Sequence, residues 1–154
     1  MPTTRYRERL WVPVWWWPLG FGVAALIGYE VNLGARSLPH WISYTALCGV
    51  AVATLLWLSR VEVAVVDGTA GSPGVELWSG EAHLPVSVIA KTAVIPQSAK
   101  SAALGRQLDP EAYVMHRGWV GPMALVVLND PDDPTPYWLI SSRHPDKVLA
   151  ALGR

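Results

Sequence analysis

Two long stretches near the N-terminus contain no charged residue. Residues 10–29 and 41–59 both lack Asp, Glu, Lys and Arg. As an α-helix, a stretch of this length would measure about 30 Å, which is the thickness of the hydrocarbon layer of a bilayer. The connection between them is short, so the helices would be antiparallel neighbours. The pattern predicts a hairpin of two transmembrane helices.

A different pattern begins at Arg60, where β-branched runs alternate with Gly- and Pro-rich turns. It predicts strands over 61–66, 75–84 (with a bulge at Gly80), 86–95, 112–120, 123–129 and 137–142. Residues 98–108 fit either a short helix or a loop. A final amphipathic helix is predicted over 143–154, with Ser142 or His144 near its cap and Pro145 in its first turn.

The expected organisation is therefore a basic cytoplasmic N-terminus over 1–9, a two-helix transmembrane hairpin over 10–59 and a cytoplasmic domain over 60–154. The fold class is a membrane α-helical hairpin followed by a mainly-β domain with a C-terminal helix.

Aromatic residues cluster at the ends of the two uncharged stretches. Three consecutive indoles at almost one depth are typical of a membrane-interface belt, because core aromatics would recur every three or four residues on one side. The residues predicted to lie at the interface are Trp11, Trp15, Trp16, Trp17, Tyr29, Trp41, Tyr44 and Trp57.

Small residues recur every fourth position in both stretches. Gly20, Ala24 and Gly28 form one row, and Gly49 and Ala53 form another. This spacing allows close helix packing in lipid. We expect the rows to face each other or to face another membrane protein.

Basic residues flank the uncharged stretches on one side. Arg5, Arg7 and Arg9 precede the first stretch, and Arg60 follows the second. Because basic flanks stay in the cytoplasm, both termini and the β domain are expected to be cytoplasmic, and the chain is expected to be a multi-pass protein of the inner membrane.

Composition narrows the classes of function and of covalent cross-link that the chain can have. The chain has 154 residues and a formal net charge of zero, with 51% hydrophobic and 16% charged residues. The chain has no excess of basic residues, and therefore no feature that indicates binding to nucleic acid. The single cysteine, Cys48, excludes an internal disulfide.

No catalytic or metal-binding motif is recognisable, so we expect neither an enzyme nor a cofactor. Asp130, Asp132 and Asp133 lie in a Pro-rich loop without the spacing of a calcium site. The histidines of the predicted β domain, His83, His116 and His144, lack metal-ligand spacing.

Three arginines near turns or a helix start are candidates for an anion or lipid-headgroup site: Arg106, Arg117 and Arg143. The alternative is that each is a surface charge or pairs with a nearby carboxylate.

Four segments have a distinctive composition: YRERL (6–10), GEAHLP (80–85), DPEAY (109–113) and DPDDPTPYWLISSRHP (130–145). They resemble an actinobacterial family of two-helix, alanine-rich transmembrane proteins of unknown function. The order of strands before a final helix also resembles a bacterial pleckstrin-homology-like (PH-like) domain. These resemblances imply architecture and membrane location, and no reaction.

The function expected from the sequence is that of a membrane-anchored scaffold subunit that binds a membrane or envelope protein. The alternative is a sensor or binder of an anionic lipid headgroup or metabolite. Expected partners are the lipid bilayer and a protein, and homo-oligomerisation is left open.

Overall fold

The computed structural model describes residues 3–34, 39–69 and 72–153. The chain divides into two compact units. We call Met1–Leu10 together with Val61–Arg154 the β unit, and Trp11–Arg60 the helical unit.

The helical unit consists of α1 (Trp16–Gly34) and α2 (His40–Leu58), which pack against each other. At one end, the Ser43 hydroxyl donates to Asn32 Oδ1 at 2.9 Å, and the Asn32 amide donates to the Gly28 carbonyl at 2.7 Å. At the other end, the backbone N–H of Val12 donates to Ser59 Oγ at 3.3 Å. Hydrogen bonds therefore fasten the unit at both ends.

The fold class predicted from the sequence, with a transmembrane hairpin at the N-terminus, is wrong. A strand, Thr3–Arg9, precedes the helices. Among the described residues, α2 is the one helix long and apolar enough to cross a membrane, by length and composition. Residues 10–15 of the first uncharged stretch precede α1. The helix instead extends over Glu30 and Asn32, whose polar side chains reduce its apolar character.

The first sheet contains the N-terminal strand that the sequence pattern missed. Its order is β1 (Thr3–Arg9), β2 (Glu62–Thr69), β3 (Ser72–Ser79) and β4 (Ala82–Pro85), and every pair is antiparallel. The N–H of Leu10 donates to the Val61 carbonyl at 3.0 Å, which extends the β1–β2 pairing. The stretch 75–84 is a hairpin rather than one bulged strand, because Gly80 turns the chain with φ of +65°.

The second sheet has the order β5 (Ile89–Ile95), β7 (Met123–Leu128), β8 (Tyr137–Ser141) and β6 (Tyr113–Met115). Strands β6 and β8 run parallel, whereas the other neighbouring pairs of this sheet are antiparallel. Single 3-10 turns, Val86–Val88 and Gln97–Ala99, flank β5. The short helix α3 (Lys100–Leu104) follows, and α4 (Pro145–Ala151) ends the unit.

The core of the β unit is built from both sheets and α4. Alternate residues of β2, Val63 and Val65, are fully buried with Val126 of β7, Ile140 of β8 and Val148 of α4. Leu10, at the start of the first uncharged stretch, is also fully buried in this core. Burial in this core accounts for the apolar character of the stretch at Leu10.

Candidate functional site

A groove of about 500 Å³ opens on the β unit between the segment 97–104 and the loop 116–121. Its lining combines basic, amide and hydroxyl groups with one indole. The residues that line it are Gln97, Lys100, Ser101, Leu104, His116, Gly118, Trp119, Val120 and Gly121. Its lining is more polar than those of two smaller grooves of the β unit, one beside Trp78 and one beside Tyr137.

Lys100 fastens the two walls of the groove. Its ammonium donates to the carbonyl of Val120 and, at 3.3 Å, to the carbonyl of Arg117. Burial lowers the pKa of Lys100, whereas the two carbonyl acceptors favour the protonated ammonium. A cation is thus held at a fixed position against the loop.

The loop 116–121 is held from several sides. The N–H of Arg117 donates to the buried Ser141 hydroxyl at 2.9 Å, and the N–H of Val120 donates to the Arg117 carbonyl at 3.1 Å. At Gly121, an added Cβ would lie 2.8 Å from Oε1 of Gln97, so a larger residue there would displace the Gln97 side chain. The groove is therefore preformed.

Neighbouring positive charges affect the pKa of His116. Partial burial, and then the charges of Lys100 and Arg117, lower the pKa of its imidazole. Within the described ranges, no carboxylate forms an ion pair with Lys100, His116 or Arg117. The groove is a local positive centre in a chain of zero net charge.

The predicted anion residues separate in the structure. Arg117 lies beside the groove, with its guanidinium carbon 5.9 Å from the centroid of the Trp119 ring. Arg106 is exposed in the turn after α3, and Arg143 is exposed before α4. Neither Arg106 nor Arg143 is among the residues that line the groove.

The predicted interface aromatics differ in exposure. Trp11, Trp15, Tyr29, Trp41 and Trp57 are exposed. Trp16, Trp17 and Tyr44 are partly buried. The indoles of the first cluster contact one another or a neighbour in the helix: Trp15 and Trp16 meet edge to face, with centroids 5.8 Å apart, and Trp17 contacts Phe21.

The two rows of small residues lie in different surroundings. Ala24 and Gly28 are buried, and an added Cβ would lie 3.3 Å from Leu55 at Gly20 and 2.6 Å from the Tyr44 ring at Gly28. The α1 row therefore faces α2. Gly49 and Ala53 are exposed, and an added Cβ at Gly49 would meet nothing within 4 Å.

The arginines predicted to set topology include residues of the first sheet. Arg5 pairs with Asp67 at 2.6 Å and Arg7 pairs with Glu62 at 2.7 Å, and both pairs join β1 to β2. Arg9 ends β1, and Arg60 is exposed after α2. Arg5 and Arg7 thus have a structural role in the pairing of β1 with β2.

Polar residues of the segments quoted for the family resemblance have structural roles. The Glu8 carboxylate accepts from the Tyr6 hydroxyl at 3.1 Å, the Ser142 hydroxyl at 2.6 Å and the N–H of Arg143 at 2.9 Å. This joins YRERL to SSRHP. In DPEAY, Tyr113 donates to the Ser79 carbonyl at 3.3 Å and joins the two sheets.

The loop 130–136 is ordered by its own aspartates. Asp130 Oδ1 accepts from the N–H of Asp132 at 3.0 Å, and Asp133 Oδ1 accepts from the N–H of Thr135 at 2.9 Å. Among the described residues, no group of three or more His, Cys, Asp and Glu could hold a metal ion.

Sequence reasoning missed Lys100, Gln97 and Ser101. The sequence shows Lys100 and Ser101 only as polar positions of an Ala-rich segment, 98–108, that fits helix or loop, and Gln97 as a polar residue just before it. The signal that was present is the motif HRGWVG (116–121), in which basic residues, an indole and two glycines occur together.

Comparison with curated proteins and with solved structures found no match. A family model matches residues 5–152, which cover all of the helical unit, most of the β unit and all of the segments quoted above. The chain therefore belongs to the family described as protein of unknown function (DUF3093).

Proposed function

We propose that this protein is a membrane-anchored binding protein, in which the helical unit attaches to a bilayer through α2 and the β unit carries the binding surface. The observation that carries the proposal is the distribution of exposed apolar side chains. Among the described residues, Val94 is the one exposed large hydrophobic residue outside the helical unit. An exposed apolar surface of this extent on a soluble protein would drive association.

The length and composition of α2 support the anchor. It has 19 residues, few of them buried, so it differs from the core helix of a soluble domain. Trp41 near its start and Trp57 near its end are 69% and 66% exposed, and indoles at both ends suit the two interfaces of a bilayer.

A binding role is favoured over catalysis because the polar groups of the family segments already hold the fold together. Glu8, Tyr113, Ser142 and the aspartates of 130–133 are engaged in the hydrogen bonds described above. The groove between 97–104 and 116–121 is a surface that remains available to a ligand.

The anchor is tested by introducing a charge into the helical unit. Val50→Asp places a carboxylate at a position that is 62% exposed, where burial in hydrocarbon costs about 2.5–3.5 kcal/mol. We expect the wild-type chain to resist extraction from membranes by alkaline carbonate and Val50→Asp to be released more readily.

The matched control is Val94→Asp, which introduces the same charge at an exposed valine of β5. It should be retained in the membrane like the wild type. Equal release of both variants, or full release of the wild type, would contradict the anchor.

We also propose that the β unit lies in the cytoplasm, because Arg5, Arg7, Arg9 and Arg60 precede and follow the helical unit. The test uses Ser87→Cys, an exposed position, in a Cys48→Ser background. An impermeant maleimide should label it only after lysis. Labelling in intact cells would place the β unit outside.

A scaffold role is the second candidate, favoured by the exposed small residues Gly49 and Ala53 on α2. Small residues allow a partner helix to approach closely in lipid. Gly49→Leu should then abolish a specific cross-link to a membrane protein in cells, and Gly22→Leu, also in open space, should not. A cross-link that survives Gly49→Leu would argue against this contact.

A further inference from the structure

We propose that the groove at Lys100 and His116 binds an oxyanion, specifically the phosphate group of a small metabolite or of a lipid headgroup. This deepens the proposed binding function of the β unit and assigns it a ligand class. It rests on three features of the groove: its charge, its available donors and its rigidity.

The charge of the groove favours an anion. Lys100 and His116 line it, and Arg117 adds a third basic group beside it. None of the three forms an ion pair with a carboxylate among the residues that the structure describes. An incoming phosphate would therefore meet positive potential that no internal anion cancels.

Donors remain for the ligand. An ammonium has three N–H groups, and the carbonyls of Arg117 and Val120 use two of those on Lys100. The Ser101 hydroxyl and the Gln97 amide also line the groove. Phosphate oxygens accept strong, charge-assisted hydrogen bonds from such groups.

The rigidity of the groove reduces the entropic cost of binding. The hydrogen bonds from the Lys100 ammonium to two loop carbonyls, and the one from Arg117 N–H to Ser141, fix the loop before a ligand arrives. Trp119 adds an apolar surface beside the basic groups, against which the carbon part of a phosphate ester can lie. These features favour a phosphate ester over a bare halide or a hydrophobic ligand.

His116 provides the readout, because its imidazole titrates in the accessible pH range. The charges that face it are those of Lys100 and Arg117, which together with burial lower its pKa. A bound dianion would oppose both charges and raise the pKa of His116 towards its ordinary value. Binding of sulfate, whose charge is constant, should therefore strengthen as the pH falls through the pKa of His116.

The experiment uses the full chain in nanodiscs of phosphatidylcholine, with NMR detection of the four histidine rings and His116→Gln for assignment. One arm adds inorganic phosphate or glycerol 3-phosphate. The other replaces part of the lipid with phosphatidic acid. A raised pKa of His116 in the first arm identifies a soluble phosphate, and a raised pKa only in the second identifies a lipid headgroup.

Variants test the groove itself. Lys100→Gln removes the fixed charge and should weaken binding about tenfold or more. Because Lys100→Gln also removes the hydrogen bonds from Lys100 to the loop, Gly118→Glu serves as a second variant. An added Cβ at Gly118 meets nothing within 4 Å, so Glu fits there and brings a negative charge to the groove. Lys91→Gln, an exposed lysine on β5, is the matched control and should bind like the wild type.

Two results would overturn the proposal: a His116 pKa unchanged in both arms, or an equal loss of binding in Lys91→Gln and Lys100→Gln. Failure of the membrane anchor is a separate outcome, since it appears in carbonate extraction. A chain that resists extraction but leaves His116 unchanged retains the anchor and loses the anion site.

Discussion

At the residue scale, Glu8 connects the two ends of the β unit. One carboxylate on β1 accepts hydrogen bonds from Tyr6 and from two successive residues before α4, Ser142 and Arg143. Glu8 and Ser142 are 134 positions apart in the chain. The sequence segments at the two ends thus belong to one structural feature.

Removing this carboxylate should destabilise the β unit. We expect Glu8→Ala to lower the free energy of unfolding by about 2–3 kcal/mol, because the Ser142 hydroxyl and the Arg143 N–H lose a charged acceptor. Urea denaturation in mild detergent measures the effect. Glu111→Ala, at an exposed position, is the control and should change stability little. Equal effects of the two changes would show that the Glu8 contacts contribute nothing specific.

Tyr6 gives a pH-dependent prediction at the same position. Burial, the charge of Glu8 and the hydrogen bond to it raise the pKa of Tyr6 to about 12. Since the folded state favours the protonated phenol, this contribution to stability is complete below pH 10 and is lost as the pH rises from about 10 to 12. Absorbance at 295 nm should show a late-titrating tyrosine that Tyr6→Phe removes. A titration curve whose late component survives in that variant would contradict the assignment.

At the element scale, part of the fold follows from periodicity. The β-branched run 61–66 lies in β2 apart from Val61, and residues 123–128 and 137–141 form β7 and β8 as predicted. Pro145 begins α4, in agreement with its preference for a first turn. Local pattern is sufficient here because alternate residues, such as Val63 and Val65, fill the core.

Other elements depend on contacts that local sequence does not display. Strand β1 is rich in arginine, and its partner β2 follows only after the whole helical unit, so neither pattern nor proximity indicates the pairing. The start of α1 was misjudged because Leu10 and Val12 are buried without being helical. The candidate groove was missed because its walls are joined through Lys100 and two carbonyls, and no residue spacing encodes that contact.

The contact between α1 and α2 gives a prediction with an internal control. A side chain at Gly28 would collide with the Tyr44 ring, whereas one at Gly22 would enter open space. Gly28→Leu should therefore separate the helices and lower the thermal midpoint of the helical unit in detergent, followed by circular dichroism. Gly22→Leu should leave the midpoint equal or higher, since leucine favours helix over glycine. The reverse order would refute this packing.

At the scale of the whole molecule, the helical unit is inserted between two neighbouring strands. Strand β1 precedes it, β2 follows it, and Leu10 is hydrogen-bonded to Val61. The chain therefore leaves and re-enters the β unit at two hydrogen-bonded residues. The described residues of 11–60 contribute nothing to the core cluster of the β unit, so the helical unit can be removed without interrupting that core.

Replacing residues 11–60 by a short Asn-Gly turn should give a β unit that folds by itself, because such a turn joins antiparallel strands directly. We expect a soluble product with a cooperative thermal transition and a late-titrating Tyr6. A product without a cooperative transition would show that the core of the β unit depends on the helical unit.

Flotation on neutral phosphatidylcholine vesicles at high salt tests the central claim most directly, because salt suppresses attraction between charges and leaves apolar insertion. The full chain is compared with the chain in which the turn replaces residues 11–60. We predict that the full chain floats with the vesicles and that the shortened chain, folded, stays at the bottom of the gradient. A full chain that remains monomeric in solution without vesicles or detergent, or a shortened chain that floats equally well, would contradict a membrane anchor in the helical unit.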